Sequence, residues 1–272
     1  MKRALCIAIN DYPYSGLDLS GCVNDARDWA AVLKARGFVT ELLLDRNATG
    51  KMMRDRIAAH VEPAKRGDTV VVTFSGHGTF VPDQDGDEPD GTDEALCPWD
   101  VMHHGPLIDD ELGELLGRAR SGVKVVMLSD SCHSGTVTRF NPITPPATIK
   151  GPKSEAPQRK VRFLPPATFL SARQVRRLGN SDAVRTATKP GRNSGVLISG
   201  CEPYEYCYDA FFQGRPNGAF TYVALRALKT LPANATYASW IRAIRQTLPS
   251  QQYPQRPNLY ATAGQKRWRV LT

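Results

Sequence analysis

At 272 residues, with 41% hydrophobic and 23% charged side chains, the chain has the make-up of a globular protein with a sizeable core. No apolar run is long enough to cross a bilayer, and no two of the six cysteines have the C-x-x-C spacing of a zinc knuckle or a thioredoxin-type motif. The formal charge of +8 is local: residues 139–192 hold twelve Lys and Arg against Glu155 and Asp182, so that segment carries +10 and the rest −2, which argues against a basic folded surface for nucleic acid.

The opening Met1-Lys-Arg and the apolar run after it mimic a signal peptide. The run is short, meets Asn10 and Asp11 and lacks a small-residue cleavage site, so it reads as a first strand over residues 2–10 of a cytoplasmic protein. In that compartment Cys6, Cys22, Cys97, Cys132, Cys201 and Cys207 stay reduced. Leu17 to Asn24 reads as a loop, and Asp25 to Ala35 as an amphipathic helix stopped by Gly37. Phe38 to Leu44 is a second strand, Ala48 to Ala64 a second helix and Asp68 to Phe74 a third strand. This alternation predicts an α/β protein with a mostly parallel central sheet and helices on both faces. Val81 to Asp100 reads as an acidic loop, Leu107 to Arg118 as a helix and Val123 to Ser129 as a fourth strand. Residues 136–194 are Pro-rich, basic and without sustained period, as in a linker or long loop. Order returns with a strand at Gly195 to Gly200, helices at Gly218 to Lys229 and Tyr237 to Leu248, and a last strand at Trp268 to Leu271. The organisation is thus a large part over 1–135, a linker over 136–194 and a small part over 195–272 that completes the same sheet.

Two valine-rich strands end in turns that carry chemistry. Asp68-Thr-Val-Val-Val-Thr-Phe-Ser-Gly-His-Gly78 delivers His77, and Val123-Lys-Val-Val-Met-Leu-Ser-Asp-Ser-Cys-His-Ser-Gly135 delivers Cys132. Reactive groups in open α/β sheets lie just beyond the carboxyl ends of such strands. A thiol nucleophile needs a base and donors for the oxyanion formed on attack. His77, between two glycines, is the candidate base, and the N–H groups of Gly78 and Cys132 are the candidate oxyanion hole. His60 sits in a helix, His103 and His104 follow the acidic loop, and His133 adjoins Cys132 in the chain. A buried structural thiol suits Cys6 and Cys201; for Cys132 the flanking Asp, His, Ser and Gly make a poor core. Metal-ligand spacing around His77, Cys132 and His133 is absent.

Ser75-Gly-His-Gly78 and Asp130-Ser-Cys-His-Ser-Gly135 resemble the paired signatures of the metacaspases and their bacterial relatives, the orthocaspases. The separation of 55 residues between His77 and Cys132 is near the caspase-type spacing of about 50. The likeness extends over nearly the whole chain and includes Asn217-Gly-Ala-Phe-Thr-Tyr222. It implies a caspase–haemoglobinase fold of bacterial type I metacaspase kind, and cysteine endopeptidase activity after Arg or Lys. It places a pocket for the basic side chain at Cys22, Asp25, Ser75 and Asp130, with carboxylates suited to a guanidinium; a helix N-cap is the plainer role for Asp25.

Many members of that family are activated by calcium held by four aspartates. Asp93, Asp109 and Asp110 match three positions, while Arg139 stands at the fourth. Calcium takes six to eight oxygen ligands, so a guanidinium there removes a ligand and adds like charge. The expectation is that calcium is not required and that Arg139 replaces the cation; an N-cap role for Asp109 and a place in the linker for Arg139 compete with it. The linker carries the residues such a pocket accepts, so self-cleavage is expected at Arg159, Lys160, Arg162, Arg173, Arg176, Arg177 or Arg185. Expected partners are protein or peptide substrates with a basic residue before the cut, with no specific nucleic acid, no membrane and a monomeric state. Two other classes stay open: a caspase-like signalling scaffold with little proteolysis, and a nucleic-acid binder acting through residues 139–192.

Overall fold

A computed structural model describes residues 1–83, 86, 91–132, 159–179, 195–203 and 205–272. The first strand, β1 (Lys2–Ala8), is followed by α1 (Cys22–Ala35), β2 (Val39–Leu44), α2 (Gly50–Val61) and β3 (Thr69–Ser75). The α1 helix ends where Gly37 takes a φ of +83°, a conformation a β-carbon resists. Helix α2 starts at Thr49, whose hydroxyl accepts the Met52 N–H. Next come β4 (Gly78–Pro82), β5 (Thr92–Leu96), α3 (Val101–His104), β6 (Leu107–Ile108), α4 (Asp109–Gly117) and β7 (Lys124–Asp130). The remainder comprises β8 (Lys160–Val161), α5 (Ala172–Gly179), β9 (Val196–Ser199), β10 (Tyr208–Phe212), β11 (Arg215–Gly218), α6 (Ala219–Thr230), α7 (Tyr237–Ile244) and β12 (Asn258–Tyr260).

The central sheet has the order β12-β9-β7-β3-β1-β2, parallel throughout except for β12 on the edge. From β1 the chain steps one way to β2, then back past β1 to β3 and β7. With right-handed crossovers, that reversal puts α1 on one face and α2 on the other. Their partners agree: α1 contacts α6, and Trp29 of α1 meets Trp240 of α7 edge-on at 6.0 Å, while α2 packs on α4. Strand β3 is buried along its whole length, which is why its Val-Val-Val run shows no alternation. Two small antiparallel sheets, β4-β5-β6 and β11-β10-β8, sit beyond the carboxyl ends of the central strands.

Several expectations change. The acidic stretch from Val81 to Asp100 is no simple loop: β4 ends in it, β5 lies within it, and the two pair antiparallel. Leu107 and Ile108, expected to be helical, pair with β5 instead, so the helix starts at Asp109. The edge of the central sheet is β12, held to β9, and not Trp268 to Leu271, of which Arg269 makes only a single bridge to Thr236. The described part of the connector is also structured: residues 160–161 join a sheet and residues 172–179 form a helix. Among the described residues no helix is long and apolar enough to cross a membrane.

Candidate active site

Strand register sets the site. Ser75 of β3 pairs with Asp130 of β7, and Ser129 pairs with Ser199 of β9. His77 and Cys132 each lie two residues past the Ser75–Asp130 pair, so the two strands deliver them to the same edge at the same level.

His77 is held from three sides. Its backbone N–H donates to the Tyr12 hydroxyl at 3.0 Å, and that hydroxyl donates to the Cys97 carbonyl at 3.0 Å. The Tyr12 ring lies 4.9 Å from the imidazole. Nε2 is 2.7 Å from the Leu17 carbonyl, which can only accept, so Nε2 carries the proton. Nδ1 is then the basic nitrogen; it is buried and makes no hydrogen bond. Burial drives the His77 pKa down to about 4, against the opposing pull of the Leu17 carbonyl. The imidazole is therefore neutral at ordinary pH.

Cys132 is fully buried, and the Cys207 N–H points at its sulfur from 2.8 Å. What covers it is the chain's own connector. Val161 and Lys160 pair antiparallel with Tyr208 and Asp209 of β10, and the Arg162 N–H donates to the Cys207 carbonyl at 3.0 Å. The Arg162 carbonyl accepts from the Gly78 N–H at 3.0 Å and the Cys132 N–H at 3.2 Å. Those are the two donors expected of the oxyanion hole.

The Arg162 side chain is fully buried in a pocket of carboxylates. Its guanidinium meets Asp25 Oδ2 at 2.7 Å, Asp209 Oδ1 at 3.0 Å and Asp130 Oδ1 at 3.3 Å, and it donates to the Asp130 backbone carbonyl at 3.0 Å. Each carboxylate is itself fixed. Asp25 Oδ1 accepts from Asn217 Nδ2 and the Gly218 N–H, Asp130 Oδ2 from the Thr221 N–H and hydroxyl, and Asp209 from the N–H groups of Ser20 and Gly21. Burial pushes Asp25 up to about 7, opposed by the Arg162 charge and by the Asn217 and Gly218 donors. Three carboxyl groups thus surround one guanidinium, an arrangement that offsets the cost of burying its charge.

Of the sequence candidates, Asp25 and Asp130 touch the guanidinium. Cys22 opens α1 beside them, its buried thiol pushed well above its ordinary value with Arg162 pulling the other way. Ser75 is buried at the end of β3, and its hydroxyl is not among the groups bonded to Arg162. Among the described basic residues of the connector, only Arg162 enters the pocket. Arg173, Arg176 and Arg177 are exposed on α5, Arg159 and Lys160 lie at the strand edge, and Arg185 lies outside the described residues. Asp209, Asn217, Tyr12 and Leu17 were not anticipated. No local pattern separates Asp209 from Glu202 and Glu205 before it, and Tyr12 and Leu17 act through a hydroxyl and a backbone carbonyl.

The calcium positions divide. Asp93 is buried on β5, Asp109 and Asp110 begin α4, and Arg139 lies outside the described residues. Among the described residues, the three possible metal ligands whose donor atoms gather within 4.8 Å are Cys132, Cys201 and Cys207, not these aspartates.

Residues 2–141 match the family model described as metacaspase, peptidase C14 domain. Metacaspase-1 of Cryptococcus neoformans is 33% identical over 287 residues, an alignment that covers 96% of this chain and 62% of that protein. The chain thus spans less than two thirds of that relative. The crystal structure of a Geobacter sulfurreducens protein superposes with a TM-score of 0.71 at 30% identity, covering 100% of this chain and 98% of that one. Caspase-1 from Spodoptera frugiperda shares the fold, with a TM-score of 0.54 at 13% identity over 95% of this chain and 84% of that one.

Proposed function

This chain belongs to the metacaspase family of caspase-like cysteine peptidases, and from that premise we propose that it is an endopeptidase cutting after arginine or lysine, with its own Arg162–Phe163 bond as first substrate. The observation that supports this reading is the pose of Arg162: the side chain is neutralised by three aspartates while its carbonyl lies on the N–H groups of Gly78 and Cys132. The oxyanion hole and the carboxylate pocket are then both engaged by one residue, next to the nucleophile's own backbone.

In this mechanism the Cys132 thiol gives its proton to neutral His77 Nδ1, and the sulfur attacks the carbonyl carbon of the basic residue. Negative charge forms on the oxygen held by Gly78 and Cys132. The C–N bond breaks, the amine leaves with the proton from His77, and an acyl-enzyme remains. Water then attacks, with His77 as base, and a carboxylate is released as the thiol returns. No step passes through a metal. We infer that calcium is not needed, Arg139 supplying positive charge at the fourth family position.

The test uses internally quenched peptides that differ only in Arg or Asp before the scissile bond, in excess EGTA and in millimolar calcium. Mass spectrometry of the aged protein is read alongside, and Cys132→Ala gives the background. Arg peptides should be cut, Asp peptides spared, EGTA should make little difference, and a new N-terminus should appear at Phe163. Absence of Arg cleavage under both conditions, with no self-cut, would favour a non-proteolytic scaffold; many-fold activation by calcium would overturn the metal-free reading.

The rate of the self-cut carries a pH signature. With Arg162 seated, His77 is neutral, and so able to accept a proton, at every pH above about 4. An unperturbed histidine would already be half protonated near 6.5. The first-order rate of self-cleavage should therefore persist through pH 6 and fall to half near pH 4. A midpoint between 6 and 7 would mean that His77 is solvated in the reacting form.

A further inference from the structure

The segment that fills the cleft continues beyond the scissile bond, where it meets Phe80, Tyr206 and Thr79, which have no part in the chemistry above. Phe163 is 5% exposed. Its ring stacks on Phe80 of β4 at 5.9 Å with 20° between the planes, and meets Tyr206 at 6.0 Å and 57°. Gly78 and Phe163 form a parallel bridge. Leu164 is fully buried, its N–H donating to the Gly78 carbonyl at 2.9 Å and its carbonyl accepting from the Thr79 hydroxyl at 2.7 Å.

These bonds lock the register. Gly78 uses its N–H on the scissile carbonyl and its C=O on the second residue after the cut. The first residue after the cut cannot slide along β4, so its side chain must go between Phe80 and Tyr206. Two rings flanking a buried position favour a third ring by stacking and by removal of apolar surface from water. A carboxylate there would lose its water against two aromatic rings.

We propose that Phe80 and Tyr206 form a primed-side subsite that takes an aromatic residue directly after the basic one, with an apolar residue next, so that the substrate class is Arg-aromatic-apolar. Phe80 and Tyr206 are then specificity-determining residues. The inference rests on the endopeptidase reading above and narrows it to sequences like the chain's own Arg162-Phe-Leu164.

The experiment measures kcat/KM for three quenched peptides that share Arg159-Lys-Val-Arg162 and continue as Phe-Leu, Ala-Leu or Asp-Leu. Phe should exceed Ala by about 10- to 100-fold, the range that stacking plus burial of one ring supports, and Asp should be slowest. In Phe80→Ala the Phe-to-Ala ratio should shrink to within about threefold; because the ratio is taken within one variant, a general loss of activity cancels. Failure to cut any of the three would sink the endopeptidase reading itself. Equal rates for Phe, Ala and Asp in the wild type, with cutting after Arg intact, would overturn the subsite alone. So would a Phe preference that Phe80→Ala leaves unchanged.

Discussion

Asp25→Asn should lower kcat/KM for Arg peptides by roughly 30-fold to several thousand-fold, the cost of removing one partner from a desolvated charge pair. Asp25 Oδ2 takes the guanidinium at 2.7 Å, while Oδ1 accepts from Asn217 and Gly218. Every neighbour of this carboxylate is a donor. An asparagine has one acceptor oxygen and a donor NH2 group, so one side or the other must face donor against donor. Either the guanidinium loses its shortest contact, or the Asn217 amide loses its acceptor while the Gly218 N–H keeps only its 3.1 Å contact, and β11 shifts. Asp130 and Asp209 still neutralise the substrate, which is why cleavage is weakened and not abolished. Asp55→Asn removes an exposed partner of Lys51 on α2 and should change nothing measurable. A loss below threefold for Asp25→Asn would mean that the recognition charge resides in Asp130 and Asp209.

The parts of this site legible in the sequence are those set by local pattern. Buried valine runs closed by small polar turns located β3 and β7, and their ends located His77, Cys132 and the Gly78 donor. The pocket was half legible: Asp130 lies in the Cys132 motif, and Asp25 was placed by the family resemblance. Asp209 was not, since it reaches the pocket only through the β10–β11 hairpin and β8, neither of which has a strong period. Arg162 stood among seven equivalent basic residues. What singles it out is the pairing of Lys160 and Val161 with β10, a contact between distant segments. The same blindness applied to β4 and β5, where pairing across a polar run, not alternation within it, makes the strands. Tyr12 and Leu17 were hidden for another reason: one orients His77 through its backbone N–H, and the other through a carbonyl that any residue would supply.

Gly78→Ala should cut kcat by about 10²- to 10³-fold, the effect of losing an oxyanion donor, with a smaller change in KM. A β-carbon at Gly78 would lie 1.8 Å from the Cys132 carbonyl oxygen and 2.6 Å from its carbonyl carbon. Those are backbone atoms of the nucleophile's own residue, so no rotamer relieves the clash. Either β4 or the Cys132 turn must retreat, and the two N–H groups that converge on one oxygen then separate. Asp25, Asp130 and Asp209 hold the guanidinium on the far side of that oxygen, which is why binding should survive better than turnover. Gly76→Ala is the contrast. There the added carbon meets the Phe74 ring at 2.8 Å and the Tyr12 hydroxyl at 2.9 Å, so the strain falls on the seat of His77 and leaves the Gly78 and Cys132 donors together, and a smaller loss than in Gly78→Ala is expected. Full-length protein with Arg162 uncut should accumulate in Gly78→Ala and not in Gly76→Ala. Equal losses in the two variants, or a loss confined to KM in Gly78→Ala, would mean that the oxyanion is stabilised by other donors.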